Sequence, residues 1–158
     1  MDHREVGEYW NGNADAWTHL ARAGLLAEAF RVIRPGGFFQ FSISHPCFDT
    51  PFRRTVRNEA GEKIGVEVGN YWGKVDGRVE QWIFSSAPAE VRADFAPFKT
   101  PRFTRTLAAW LNLLIDTGFS IERLGEPYAS DEAVRARPRL ARARVVADFL
   151  QVRVRRPG

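Results

Sequence analysis

Leu25-Leu26-Ala27-Glu28-Ala29-Phe30-Arg31-Val32-Ile33-Arg34-Pro35-Gly36-Gly37-Phe38-Phe39-Gln40-Phe41-Ser42-Ile43-Ser44 decides the fold class. Leu26, Ala29, Phe30 and Ile33 recur at helical spacing and form one apolar stripe. Pro35 and the paired glycines stop that helix and start a tight turn, because proline cannot continue the ladder and glycine accepts backbone angles closed to other residues. The next seven residues are rich in aromatic and β-branched side chains and read as a strand. Helix, short glycine turn and buried strand is an α/β signature.

Upstream, Tyr9-Trp10-Asn11-Gly12-Asn13 opens a helix that begins near Ala14, with Asn13 or Asn11 as its cap. Trp17, Leu20, Ala21 and Gly24 share one face of it. At ~100° per residue that face points about 180° away from the Leu26 stripe. A break, a kink or a helix sandwiched on both sides is therefore expected near Gly24.

Downstream, residues 45–63 are polar and turn-rich. Ile64 to Gly69 alternates with period two, Asp76-Gly77 is a hairpin-turn signal, and Val79 to Phe84 supplies the expected return strand. Residues 85–101 read as a loop with Pro88, Pro97 and Pro101. A helix follows, capped by Thr104 or Thr106, carrying Leu107, Trp110, Leu111, Leu114 and Ile115 and ending at Gly118. Phe119 to Leu124 is a strand, Pro127 to Pro138 a loop or short helix, and Val145 to Arg155 the last strand. The expected order is helix, strand, inserted hairpin, helix, strand, strand. A single domain over 1–158 is expected, in four segments: 1–24, 25–45, 46–103 and 104–158.

Composition bounds the function. The 158 residues are 44% hydrophobic and 27% charged, so a mostly disordered chain is excluded. One cysteine, Cys47, excludes an internal disulfide and an all-cysteine zinc site. No run approaches the ~20 apolar residues of a membrane span. Met-Asp-His-Arg-Glu has no apolar stretch behind it, which argues against a signal peptide. A reducing, cytoplasmic setting is expected. The net charge is +4, and eight arginines fall between Arg135 and Arg156, where Asp148 is the only acid. Such a cluster reads either as a nucleic-acid footprint or as a solvated face. The absence of interleaved exposed aromatics favours the latter.

Four pieces in order resemble class I S-adenosylmethionine (SAM)-dependent methyltransferases of the methyltransferase type 11-like group. Residues 9–17 resemble the N-terminal segment of that group, 25–37 the helix and turn before its fifth strand, 42–48 the end of that strand, and 105–119 the late helix leading into the final antiparallel pair. The resemblance implies a partial Rossmann-like class I methyltransferase sheet with an inserted β-hairpin. It implies SAM as cofactor and methyl transfer to a small molecule or another acceptor that the sequence does not identify. The family holds SAM with a Gly-x-Gly loop after its first strand and an acid after its second. Here no two glycines stand two apart and no strand precedes Leu25. The family's first four strands are missing between Gly24 and Leu25, which puts activity in question.

Tyr9, Trp10, Asn11 and Asn13 close over the cofactor, as the resemblance implies, or pack as a helix start. His45, just beyond the carboxyl end of a strand where α/β sheets place ligands, is the candidate base or a loop histidine bonding to backbone. Cys47 is a candidate nucleophile or acceptor contact, or a small, partly buried residue. Tyr71 and Trp72 lie in the insertion that shapes the acceptor pocket in the family, or form a satellite core. No ligand pair completes His45-x-Cys47, so no metal is expected. Half a sheet leaves an unpaired edge, from which either homo-oligomerisation or marginal stability is expected. The rival functions are a non-catalytic remnant acting as a homodimer or partner-binding module, and a nucleic-acid-binding domain using Arg135–Arg156.

Overall fold

The computed structural model describes residues 24–82 and 98–158. They fall into two compact units, one comprising Ala23–Lys74 with Thr104–Gly158 and the other containing Val75–Phe103. The proposed break at Gly24 lies at the border of the described residues, and Gly24 itself is helical.

In the first unit, helix α1 (residues 24–32) leads through the Arg34–Gly37 turn into β1 (Phe38–Ser44), as the opening stretch predicts. A Cβ at Gly37 would lie 2.7 Å from Ile33 Cγ2 and 2.8 Å from the Arg34 carbonyl, so only glycine fits this close approach. After α2 (Leu107–Asp116) come β6 (Ser120–Gly125), α3 (Asp131–Ala136), a 3-10 helix (Pro138–Arg144) and β7 (Phe149–Arg155). The sheet order is β1-β7-β6, antiparallel throughout.

Alternation along these strands divides the sheet. Phe39, Phe41 and Ile43 stand opposite Val154, Val152 and Leu150, and Ile121 meets Val154 from the other side. These side chains form the core with Leu26, Phe30 and Ile33 of α1 and with Leu107, Leu113 and Leu114 of α2. Both helices therefore cover one face, and the opposite face presents Gln40, Ser42 and Gln151 to solvent. Leu114, Val152 and Val154 have essentially no exposed surface. Each such side chain contributes about 1.5–3 kcal/mol by leaving water. The α2 stripe differs from expectation at its edge: Leu113 joins the core and Ile115 is exposed.

Arg156 fastens α1 to the sheet. Its guanidinium donates to the carbonyls of Phe30 and Ile33 at 2.8 Å and of Arg31 at 3.1 Å, and stacks on the Phe30 ring. These are the orphan carbonyls of a helix end, where a cation is also favoured by the helix dipole. Its backbone exchanges hydrogen bonds with Gly36 and Gly37 at 2.9 Å. Helix α2 starts at Thr106, whose hydroxyl accepts from the Ala109 N–H, and ends at Gly118 with φ 101°.

The insertion is built differently from expectation. The strand over Ile64 to Gly69 does not pair with the one after Asp76-Gly77. Instead β3 (Lys63–Gly69) pairs with β2 (Phe52–Arg57), within the stretch read as polar loop. In the second unit β4 (Asp76–Trp82) pairs with β5 (Phe98–Phe103), which contains Pro101. Asp76-Gly77 is not a hairpin turn: Gly77 takes its positive φ at an irregularity in the β4–β5 ladder. The β2–β3 turn is made by Asn58, whose side-chain oxygen accepts from the Glu62 N–H at 2.9 Å.

Leu114→Ala is expected to lower stability by about 3 kcal/mol through the cavity it leaves. Gly118→Ala combines a positive φ with a new Cβ 3.1 Å from the Phe30 ring and is expected to cost about 2 kcal/mol. Chemical denaturation with unchanged slope checks both values.

Candidate functional site

The chain directly after β1, directly after β6 and directly before β7 brings His45, Glu126 and Asp148 to one end of the sheet. The His45 N–H donates to the Asp148 carbonyl at 3.0 Å, extending the β1–β7 ladder by one bond. His45 is 4% exposed, and its ring packs 4.8 Å from the Phe48 ring. Its Nδ1 accepts from the Cys47 N–H at 3.2 Å, and its Nε2 lies 2.9 Å from Glu126 Oε1. A ring nitrogen that accepts carries no proton, so the proton sits on Nε2 and is donated to the carboxylate. Both nitrogens are engaged, and taking a proton from an acceptor would require one of these contacts to open.

A cavity of about 840 Å³ opens beside this end. Ser44, Phe48 and Asp49 form one wall, Arg53, Thr55 and Arg57 of β2 a second, and Pro138, Arg139 and Arg142 a third. Lys63 and Asp148 lie in its lining. Asp148 binds Arg53 at 2.6 Å and Lys63 at 3.4 Å. The Lys63 side chain is only 11% exposed, and an ammonium so placed needs the nearby carboxylate. A second cavity, of about 450 Å³, lies against the outer sheet face and includes Gln40, Glu126, Gln151 and Arg153.

The sequence-derived candidates separate. His45 and Cys47 meet as described, and Cys47 is a half-buried free thiol. The Tyr71 hydroxyl accepts from the Leu107 N–H at 2.9 Å and so holds the start of α2. Trp72 packs edge-on against Tyr71 and is 84% exposed. Neither lines the two cavities. Tyr9, Trp10, Asn11 and Asn13 lie outside the described residues. Among the described residues no group of three histidine, cysteine or acidic side chains is placed to hold a metal, and no helix is long and apolar enough to cross a membrane.

Glu126, Arg53 and Lys63 were invisible as site residues in the sequence. Glu126 is 81 residues from His45, with no local pattern linking them. Asp148 carried one signal, as the lone acid of an arginine-rich stretch.

Half of that stretch has partners within the chain. Arg144 donates to the Ala129 carbonyl and to Asp131, both at 2.7 Å. Arg153 and Arg155 share Glu122, and Arg156 caps α1. Hydrogen bonds from Arg155 first, then from Arg153, hold the Glu122 carboxyl below the usual glutamate range.

No family model matches the sequence, and no curated protein matches it. Solved structures do match. A SAM-dependent methyltransferase from Mesorhizobium loti aligns with 85% of the chain at 27% identity and a TM-score of 0.59. A structure from Listeria monocytogenes, assigned to the same class, aligns with 87% at 17% identity and a TM-score of 0.61. The chain spans 55% of the length of each of these structures.

Because the Glu122 carboxyl is lowered in the folded state, its contribution to stability is present at neutral pH. It is lost as pH falls from the ordinary glutamate range through the native value. Acid titration of the wild type and of Glu122→Gln, followed by circular dichroism, is expected to show that the variant has lost part of this acid sensitivity.

Proposed function

The chain has a class I SAM-dependent methyltransferase-like fold over the part it spans, and on that premise we propose that it serves methyl transfer from SAM to a small-molecule acceptor. The observation that supports this reading is the alignment of 85% of the chain with a SAM-dependent methyltransferase at 27% identity.

The described residues do not form a cradle for that cofactor. The sequence has no Gly-x-Gly loop. The glycines that end strands of the first unit, Gly69 and Gly125, face side chains of their own sheets: an added Cβ would meet Phe52 at 3.2 Å and Gln151 at 3.4 Å. Cofactor contacts in this reading fall to Tyr9, Trp10, Asn11 and Asn13. The described residues serve the acceptor. His45, with both ring nitrogens engaged, holds the sheet end and orients Glu126. Cys47 stands beside it, Tyr71 anchors the insertion to α2, and Trp72 offers an exposed ring for contact.

A second reading, a non-catalytic homodimer, is favoured by one feature. Among the described residues β1 and β6 each pair on one side only, with β7, so the sheet ends in two open edges.

Calorimetric titration with the demethylated cofactor, S-adenosylhomocysteine (SAH), tests the first reading. Binding in the micromolar range, lost in Trp10→Ala, is expected. A folded chain that gives no heat at millimolar SAH overturns it. Melting temperature that rises with protein concentration is the expected mark of the dimer, whereas melting independent of concentration excludes that reading.

A further inference from the structure

We propose that the cavity beside β1, β2 and the 3-10 helix binds a small organic anion, a carboxylate or phosphate ester with an apolar body. The charges of its walls carry the inference. Five cationic side chains line it (Arg53, Arg57, Lys63, Arg139 and Arg142) against three carboxylates (Asp49, Glu62 and Asp148). Arg53 and Lys63 converge on Asp148 and are neutralised in part there. Arg57 donates to the Gly61 carbonyl at 2.7 Å, a partner that leaves its charge uncompensated. Arg139 and Arg142 make no ion pair or side-chain hydrogen bond among the described residues.

The local structure explains why these two guanidiniums act together. In a 3-10 helix residues three apart eclipse, so Arg139 and Arg142 rise on the same side of Pro138–Arg144. On β2 the period of two places Arg53, Thr55 and Arg57 on the face that lines the cavity, while Arg54 on the other face pairs with Glu67. Cations thus approach from two walls, and a cleft lined by one excess sign concentrates its field on the space between. Guanidinium forks match carboxylate and phosphate oxygens equally well. Phe48, Ile64 and Phe149 supply apolar surface for the body of the ligand. The volume, about 840 Å³, is in the range of small-molecule sites.

As an anion site the cavity stands on its own geometry. As the acceptor site it rests on the methyl-transfer reading, in which the anion is the acceptor bound at the carboxyl end of β1.

Calorimetric titration of the full chain with benzoate, phenyl phosphate and benzyl alcohol, with no SAH present, tests the anion site separately from the cofactor. Benzoate or phenyl phosphate is expected to bind and benzyl alcohol not, and the better of the two anions identifies the headgroup. The double variant Arg139→Gln/Arg142→Gln is expected to weaken that binding by about tenfold, equivalent to about 1.4 kcal/mol. Arg135→Gln/Arg137→Gln removes the same charge from residues outside the cavity and is expected to leave binding within twofold, to about that precision. Equal weakening in both double variants, equal binding of benzyl alcohol, or no binding of either anion to the folded chain overturns the proposal. Loss of SAH binding with anion binding intact would count against the methyl-transfer reading alone.

Discussion

Strand β7 is the member on which the rest of the first unit depends. Among the described residues it is the only strand paired on both edges, and its Leu150, Val152 and Val154 form the buried centre of the core. Both of its ends also reach beyond the sheet. Arg156, just after it, closes the carbonyl end of α1 and pins the Gly36-Gly37 turn. Asp148, just before it, bonds through its backbone to His45 and through its carboxylate to Arg53 and Lys63. One strand therefore sets helix position at one end and site geometry at the other.

This arrangement gives the arginine-rich stretch a divided role. Arg144, Arg153, Arg155 and Arg156 are held by carbonyls and carboxylates of the same chain, where their loss would leave helix ends and acids without partners. Arg139 and Arg142 instead face a cavity. A charge run that looks uniform in sequence is thus partly scaffold and partly recognition surface, a distinction set by which acids the fold brings near.

What was legible in the sequence was local. The α1 stripe, the Pro35-Gly36-Gly37 stop, the β1 run and the Gly118 end of α2 follow from periodicity and from backbone angles that few residues adopt. What was illegible was pairing at distance. β2 is Phe-Arg-Arg-Thr-Val-Arg, with no buried side to create an apolar alternation, so it resembled loop; its pairing with β3 is set by the Asn58 turn. Asp76-Gly77 suggests a hairpin turn because glycine accepts a positive φ, but Gly77 uses that angle at a ladder irregularity instead. The His45–Glu126 contact joins the ends of β1 and β6 across β7, and only the strand order could reveal it. His45 and Cys47 were found as neighbours, whereas the cavity walls at Arg53, Lys63 and Arg139 come from three separate segments.

In this proposal the end of the sheet organised by Asp148 is the ligand-binding end. Backbone amide shift mapping of the labelled chain with benzoate or phenyl phosphate tests it most directly. The largest shifts are expected on Ser44, Asp49, Thr55, Arg139, Arg142 and Phe149, which surround the cavity. Shifts concentrated instead on the outer sheet face around Gln40, Gln151 and Arg153, or spread evenly over the exposed arginines, would contradict it.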